Sequence, residues 1–164
     1  MVQIKDKCKL SAEKIKLELS RTAEEYRANA KKAAEDSSLS EEHRLAAIAF
    51  GENAAEAMDA FLLKLALELD AEEVKRELMY QIGELLVKGH QTMKNGSLSD
   101  EEKLPVIRYT ANASAAICTF LTKIGVEIRA ASGLMLWDSL GFFAWEQTLK
   151  INLMRKKRAA EAAI

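Results

Sequence analysis

The chain has little of anything that ends, bends or staples a backbone: one proline, seven glycines and two cysteines in 164 residues. So few turn formers argue against many short strands and favour a few long helices. Two cysteines, Cys8 and Cys118, are too few for a disulfide framework and suit a reducing, cytoplasmic setting. Long apolar runs are missing too. The stretch from Gly133 to Trp145 is 13 residues and contains Asp138, whereas a membrane-spanning helix needs about 20. The first eight residues hold no apolar run of the kind a secretory leader carries, so none is expected there. Charge of one sign is also lacking. With 24 basic and 25 acidic side chains the formal net charge is −1, a poor match to a protein that coats nucleic acid.

Catalytic constellations are absent as well. The two histidines, His43 and His90, have no glutamate three residues before them, so the Glu-x-x-His pairs of di-iron bundles do not occur. No His-Glu-x-x-His, Cys-x-x-Cys or glycine-rich phosphate loop is present. The expectation is a non-enzymatic protein without cofactor or metal. Both histidines fall at positions that read as solvated surface. Cys118 lies on an apolar helix and reads as an inert core thiol. Cys8, among Lys5, Lys7 and Lys9, is either a thiol with a lowered pKa or an ordinary exposed one.

What the sequence does have is an internal duplication. Ser38-Leu-Ser-Glu-Glu-His-Arg-Leu45 returns as Ser97-Leu-Ser-Asp-Glu-Glu-Lys-Leu104, an offset of 59. Aligned at that offset without a gap, residues 11–69 and 70–128 share 19 identities. Among them are Asn53 with Asn112, Phe61-Leu62 with Phe120-Leu121, and Lys64 with Lys123. Each copy reads as helix, short loop, helix. In the first, Ile15, Leu19, Thr22, Tyr26, Ala30 and Ala33 recur every three to four residues, the stripe of an amphipathic helix. Ser11 and Asp70 are expected N-caps of the first helices, with Glu73 completing a capping box; Ser40 and Ser99 are expected caps of the second. Glu41-Glu42 and Asp100-Glu101-Glu102 then fall in first turns, where carboxylates complement the helix dipole. Asp36-Ser37 and Asn95-Gly96 end the first helices, and Asn-Gly predicts a left-handed cap. Pro105 predicts a kink, or a main helix that begins there after a separate turn. A break at Asp70 is preferred over one continuous rod. It predicts an all-α fold: two duplicated hairpins packed as a four-helix bundle with approximate two-fold symmetry, plus a C-terminal helix.

The second helices carry small residues in mid-course, Gly51, Ala54, Ala55 and Ala57 in one copy, Ala111, Ala113, Ser114, Ala115 and Ala116 in the other. They are expected to cross closely near the pseudo-axis. Asn53 and Asn112 would lie beside that crossing, either as a polar pair fixing register or as two exposed asparagines inherited from one ancestor.

Residues 129–164 have no partner in the repeat and hold both tryptophans. Trp137, Leu140, Phe142, Phe143, Trp145 and Leu149 make this segment apolar on more than one side, and Arg155-Lys156-Lys157-Arg158 follow. Three readings compete. The segment is a fifth helix covering the bundle, a surface for self-association or a protein partner, or a reversible membrane-surface anchor with an apolar face and a basic cluster. The preferred function is a non-enzymatic interaction module, an adaptor, inhibitor or assembly subunit, acting through those six residues. Membrane-surface binding by residues 133–158 is the alternative, and nucleic-acid contact through the basic ends is the least supported.

Overall fold

The computed structural model describes residues 11–65, 70–125 and 130–161, with side chains from residue 141 onward in the last segment. The described residues form five helices: α1 (Ala12–Glu35), α2 (Glu41–Lys64), α3 (Ala71–Lys94), α4 (Asp100–Lys123) and α5 (Ala130–Glu161). The first four are each 24 residues long, and α3 and α4 begin and end 59 residues after α1 and α2. The duplication in sequence is thus a duplication of helix boundaries.

Local chemistry explains those boundaries. Ser11, Ser40, Asp70 and Ser99 are all extended N-caps whose side-chain oxygens accept backbone N–H bonds from the first turn. Asp70 with Glu73, and Ser99 with Glu102, form complete capping boxes. Asp70 therefore starts α3 afresh, and the continuous rod is excluded. The interhelix loops differ from expectation. Asn95 is extended (φ −71°, ψ 104°) rather than followed by a left-handed glycine, and among the described residues only Gly125 has a positive φ. The turn is closed by side chains instead: Asn95 Oδ1 accepts from the backbone N–H of Ser97 at 2.9 Å and from its hydroxyl at 2.6 Å. Asp36 does the same with Ser38 at 2.8 and 2.6 Å. Asp and Asn offer the same acceptor, so Asp-Ser and Asn-Gly build one loop with no need for φ above zero. Pro105 is a second difference. The helix already starts at Asp100, capped by Ser99, and continues through the proline to Lys123, so there is no separate first turn. The ring removes the N–H that would reach the Glu101 carbonyl and crowds that carbonyl.

Helix α2 packs on α1 and on α4, and α3 packs on α4. Ile15, Leu19, Met58, Leu65, Leu78, Ile82, Ile107, Ile117, Phe120 and Leu121 are fully buried between them. Reciprocal ion pairs reveal the symmetry. Lys64 at the end of α2 reaches Glu84 of α3 at 3.9 Å, and Lys123 at the end of α4 reaches Glu25 of α1 at 3.8 Å. These are the same two positions in the two copies, with the copies exchanged. A repeat propagating by translation would carry Lys123 forward to a third unit; here it returns to the first. The arrangement is a closed, isologous pseudo-dimer. Lys123 also bonds Glu18 at 2.5 Å, and that hydrogen bond holds the Glu18 carboxyl below, and the Lys123 ammonium above, its ordinary range.

Within the first hairpin α1 and α2 touch at Gly51. A Cβ there would lie 2.7 Å from the Tyr26 carbonyl oxygen and 2.8 Å from Ala30 Cβ. Alanine gains about 1 kcal/mol of helix propensity over glycine, but overpacking against a neighbouring backbone costs roughly 1–3 kcal/mol. Gly51→Ala is therefore expected to lower the urea midpoint, and a raised midpoint would show that α1 and α2 are free to move apart.

Candidate functional site

The second hairpin differs from the first because α5 lies on it. Helix α5 runs antiparallel to α4, as two ion pairs show: Arg108 with Glu146 at 2.9 Å, and Asp100 with Lys156 at 3.0 Å. Phe142 enters the seam between α3 and α4 and is fully buried. Its ring needs the space that Gly89 leaves, since a Cβ at Gly89 would stand 2.6 Å from Phe142 Cε1 and Cζ and 2.8 Å from Thr110 Cγ2. Gly89 and Thr110 are the counterparts of Ala30 and Gly51. Where the first hairpin closes on itself, the second is wedged by an aromatic ring. His90 and Trp145 complete the cluster, with ring centroids 5.0 and 5.2 Å from Phe142 and 5.2 Å from each other. His90 is half-buried, not the solvated histidine expected, because α5 covers it. Thr110 is the exception among the helical threonines. Thr22, Thr92, Thr119, Thr122 and Thr148 each donate to the carbonyl four residues back, whereas the buried Thr110 hydroxyl has no partner among the described residues.

Of the residues expected to form an interaction surface, Phe142 and Leu149 are core residues of this chain, and Phe143 and Trp145 are half-buried against that core. The side chains of Trp137 and Leu140 lie outside the described residues, as do Lys5, Lys7, Cys8 and Lys9. Cys118 is buried, and burial pushes its thiol pKa up.

Comparing the copies explains why α5 sits on one hairpin only. The outer seam of α1 and α2 is an open groove of about 510 Å³ that includes Arg27, Lys31, Glu52, Glu56 and Asp59, and an Arg27–Asp59 ion pair joins its walls. The same five positions in the second hairpin are Leu86, His90, Ala111, Ala115 and Cys118. One seam is charged and solvated, the other apolar and covered. That divergence is a readable sequence signal for the seat of α5.

The basic cluster is partly neutralised. Lys156 pairs with Asp100, whose hydrogen bond holds its pKa up, and Lys157 faces Glu161 at 4.0 Å; Arg155 and Arg158 are exposed. Further up α5, Glu146 is buried (5% exposed), and its Oε1 accepts from Arg108 Nε at 2.9 Å and Lys150 Nζ at 3.0 Å. A buried carboxylate is tolerated only when paired in this way. Asn112 is also buried, whereas Asn53 is half-exposed.

One further feature escaped the sequence reading. On the outer face of α3, Tyr80 is 62% and Val87 54% exposed. Between them Gly83, also on that face, has nothing within 4 Å of where a Cβ would stand. The first copy has Arg21, Glu24 and Ala28 at these positions, all exposed. The first copy thus builds the same face with Arg, Glu and Ala; in the second, Tyr80 hydrogen-bonds Glu84 of its own helix, and nothing among the described residues occupies the space over Gly83. Among the described residues no group of three or more His, Cys, Asp or Glu converges as metal ligands would.

The wedge carries a prediction. Phe142→Ala is expected to destabilise by about 3–5 kcal/mol, and Gly89→Ala to destabilise the native chain through its clash with the ring. In the Phe142→Ala background Gly89→Ala is expected to cost less than in the native chain, because the clash with the ring is gone and only Thr110 Cγ2, at 2.8 Å, must still give way against a propensity gain of up to about 1 kcal/mol. Additive effects in denaturant unfolding would show that the two residues do not meet. No family model, curated protein or solved structure matches this chain.

Proposed function

We propose that this protein is a non-enzymatic helical interaction module that binds a second copy of itself through the outer face of α3. The observation that carries this reading is the stripe Tyr80–Gly83–Val87. A glycine inside a helix costs roughly 0.5–1 kcal/mol relative to alanine, and here no contact among the described residues offsets it. A small residue flanked by larger apolar ones is what close helix–helix approach requires. The stripe is self-complementary: Tyr80 and Val87 of one copy straddle Gly83 of the other when the two helices run antiparallel. Charge agrees with that orientation. The first turn of α3 carries Glu72 and Glu73 and its last turn Lys94, so antiparallel pairing sets acidic ends against basic ones and opposes the two helix dipoles. Compared with a surface on α5, this face is exposed without undoing the packing of Phe142 and Leu149.

The first copy supplies substitutions that the fold accommodates. The triple variant Tyr80→Arg, Gly83→Glu, Val87→Asn places polar groups across the stripe, two of them the residues the first copy carries. Light scattering over a concentration series is expected to find a dimer for the native chain and a monomer for the variant, with unchanged helical circular dichroism. A native chain that stays monomeric at high concentration, or a variant that dimerises equally well, contradicts the reading.

A further inference from the structure

The groove where α2, α4 and α5 meet is unlike the others. It encloses about 460 Å³, a volume in the range of small-molecule sites. Its walls include Leu45, Ala49, Phe50 and Phe143, and into it project Asn112, Arg108, Glu146 and Lys150. Asn112 is 5% exposed, yet among the described residues nothing hydrogen-bonds its carboxamide. Its amide atoms are not sealed in the core as Thr110 Oγ1 is; they face the open volume of the groove, where a ligand can reach them. Arg108 uses Nε for Glu146, which leaves both Nη amines as donors for another acceptor. Arg108 and Lys150 together outweigh the single charge of Glu146; Glu42, the remaining charged lining residue, is exposed. The duplication again acts as a control. The counterpart of Arg108 is Ala49, which lines the same groove and leaves room opposite the guanidinium, while the counterpart of Asn112 is the half-exposed Asn53.

We propose that this groove binds a small carboxylate with an apolar body, its acid group held by the Asn112 carboxamide and the Arg108 Nη amines and its body laid against Leu45, Phe50 and Phe143. The carboxylate accepts from planar donors, for which arginine is well shaped, and it satisfies an amide that the fold leaves open. Two sources present this chemistry, a free acyl acid and the C-terminus of a peptide. The inference does not depend on the α3 face.

The test is a titration of the full chain followed by the side-chain nitrogen–proton resonances of Asn112 and Arg108. The probes are octanoate, octanamide, N-acetyl-leucyl-phenylalanine and its C-terminal amide. Both resonances are expected to shift saturably with the carboxylates, and the amides to bind at least about tenfold more weakly, since a charged hydrogen bond is lost. Tighter octanoate binding assigns the groove to acyl acids, and tighter peptide binding to chain termini. Arg108→Met and Asn112→Leu are each expected to weaken the carboxylates about tenfold. Asn112→Leu removes an unpaired amide and is expected to fold at least as stably, so lost binding there is not lost structure. Arg27→Met, in the α1–α2 groove, is expected to change nothing. The proposal is overturned if no probe shifts these resonances saturably, if the amides bind as well as the acids, or if both groove variants bind like the native chain.

Discussion

A single aromatic ring sets the asymmetry of this molecule. Phe142 occupies the seam between α3 and α4 at the level of Gly89, and the seat of α5 on the second hairpin follows from accommodating it. The ring fills space that Ala30 and Gly51 close by direct contact in the other copy. It brings α5 down over His90, so Leu149 joins the core and Trp145 packs half-buried against it. It also places Glu146 where only paired cations make burial tolerable. Interiors are packed too densely for such an insertion to be absorbed without specific room, and the missing Cβ at Gly89 provides that room.

Beneath this asymmetry lies a closed two-fold arrangement. The reciprocal pairs Lys64–Glu84 and Lys123–Glu25 show that each copy contacts the other with the same surface, as the subunits of a symmetric dimer do. Exposed pairs of this kind contribute little stability individually; their value here is that they report the symmetry. Given that frame, a site where the copies differ in polarity marks surroundings that one copy has and the other lacks. Charges on the α1–α2 seam keep it solvated, while apolar residues on the α3–α4 seam receive α5. The α3 stripe differs in the same way while its Tyr80 and Val87 stay exposed, which is why the proposed self-association is placed there rather than on α5.

Much of this was legible in the amino-acid order because it is local. Caps, capping boxes and helix stripes depend on residues within four positions of one another, so Ser11, Ser40, Asp70 and Ser99 are recognisable without a structure. The cap after Asn95 was misjudged because a side-chain acceptor competes with the left-handed turn that Asn-Gly favours. His90 was misread for a different reason. Its counterpart, Lys31, is solvated, but only one copy is covered by the unduplicated helix. Asn112 was placed near the crossing of α2 and α4, but its groove depends on where α5 lies, and no periodicity within residues 133–154 conveys that. The missing signal was the contrast between copies, Arg27 against Leu86 and Glu24 against Gly83, rather than their identity.

If Phe142 fastens α5 and the second hairpin into one unit, native-state hydrogen exchange of the Phe142→Ala chain measures it directly. The expected result is loss of amide protection in α3, in the first half of α4 and in α5, with α1 protected as in the native chain. Protection that falls evenly over all five helices, or that stays unchanged in α3 and α4, would contradict the account.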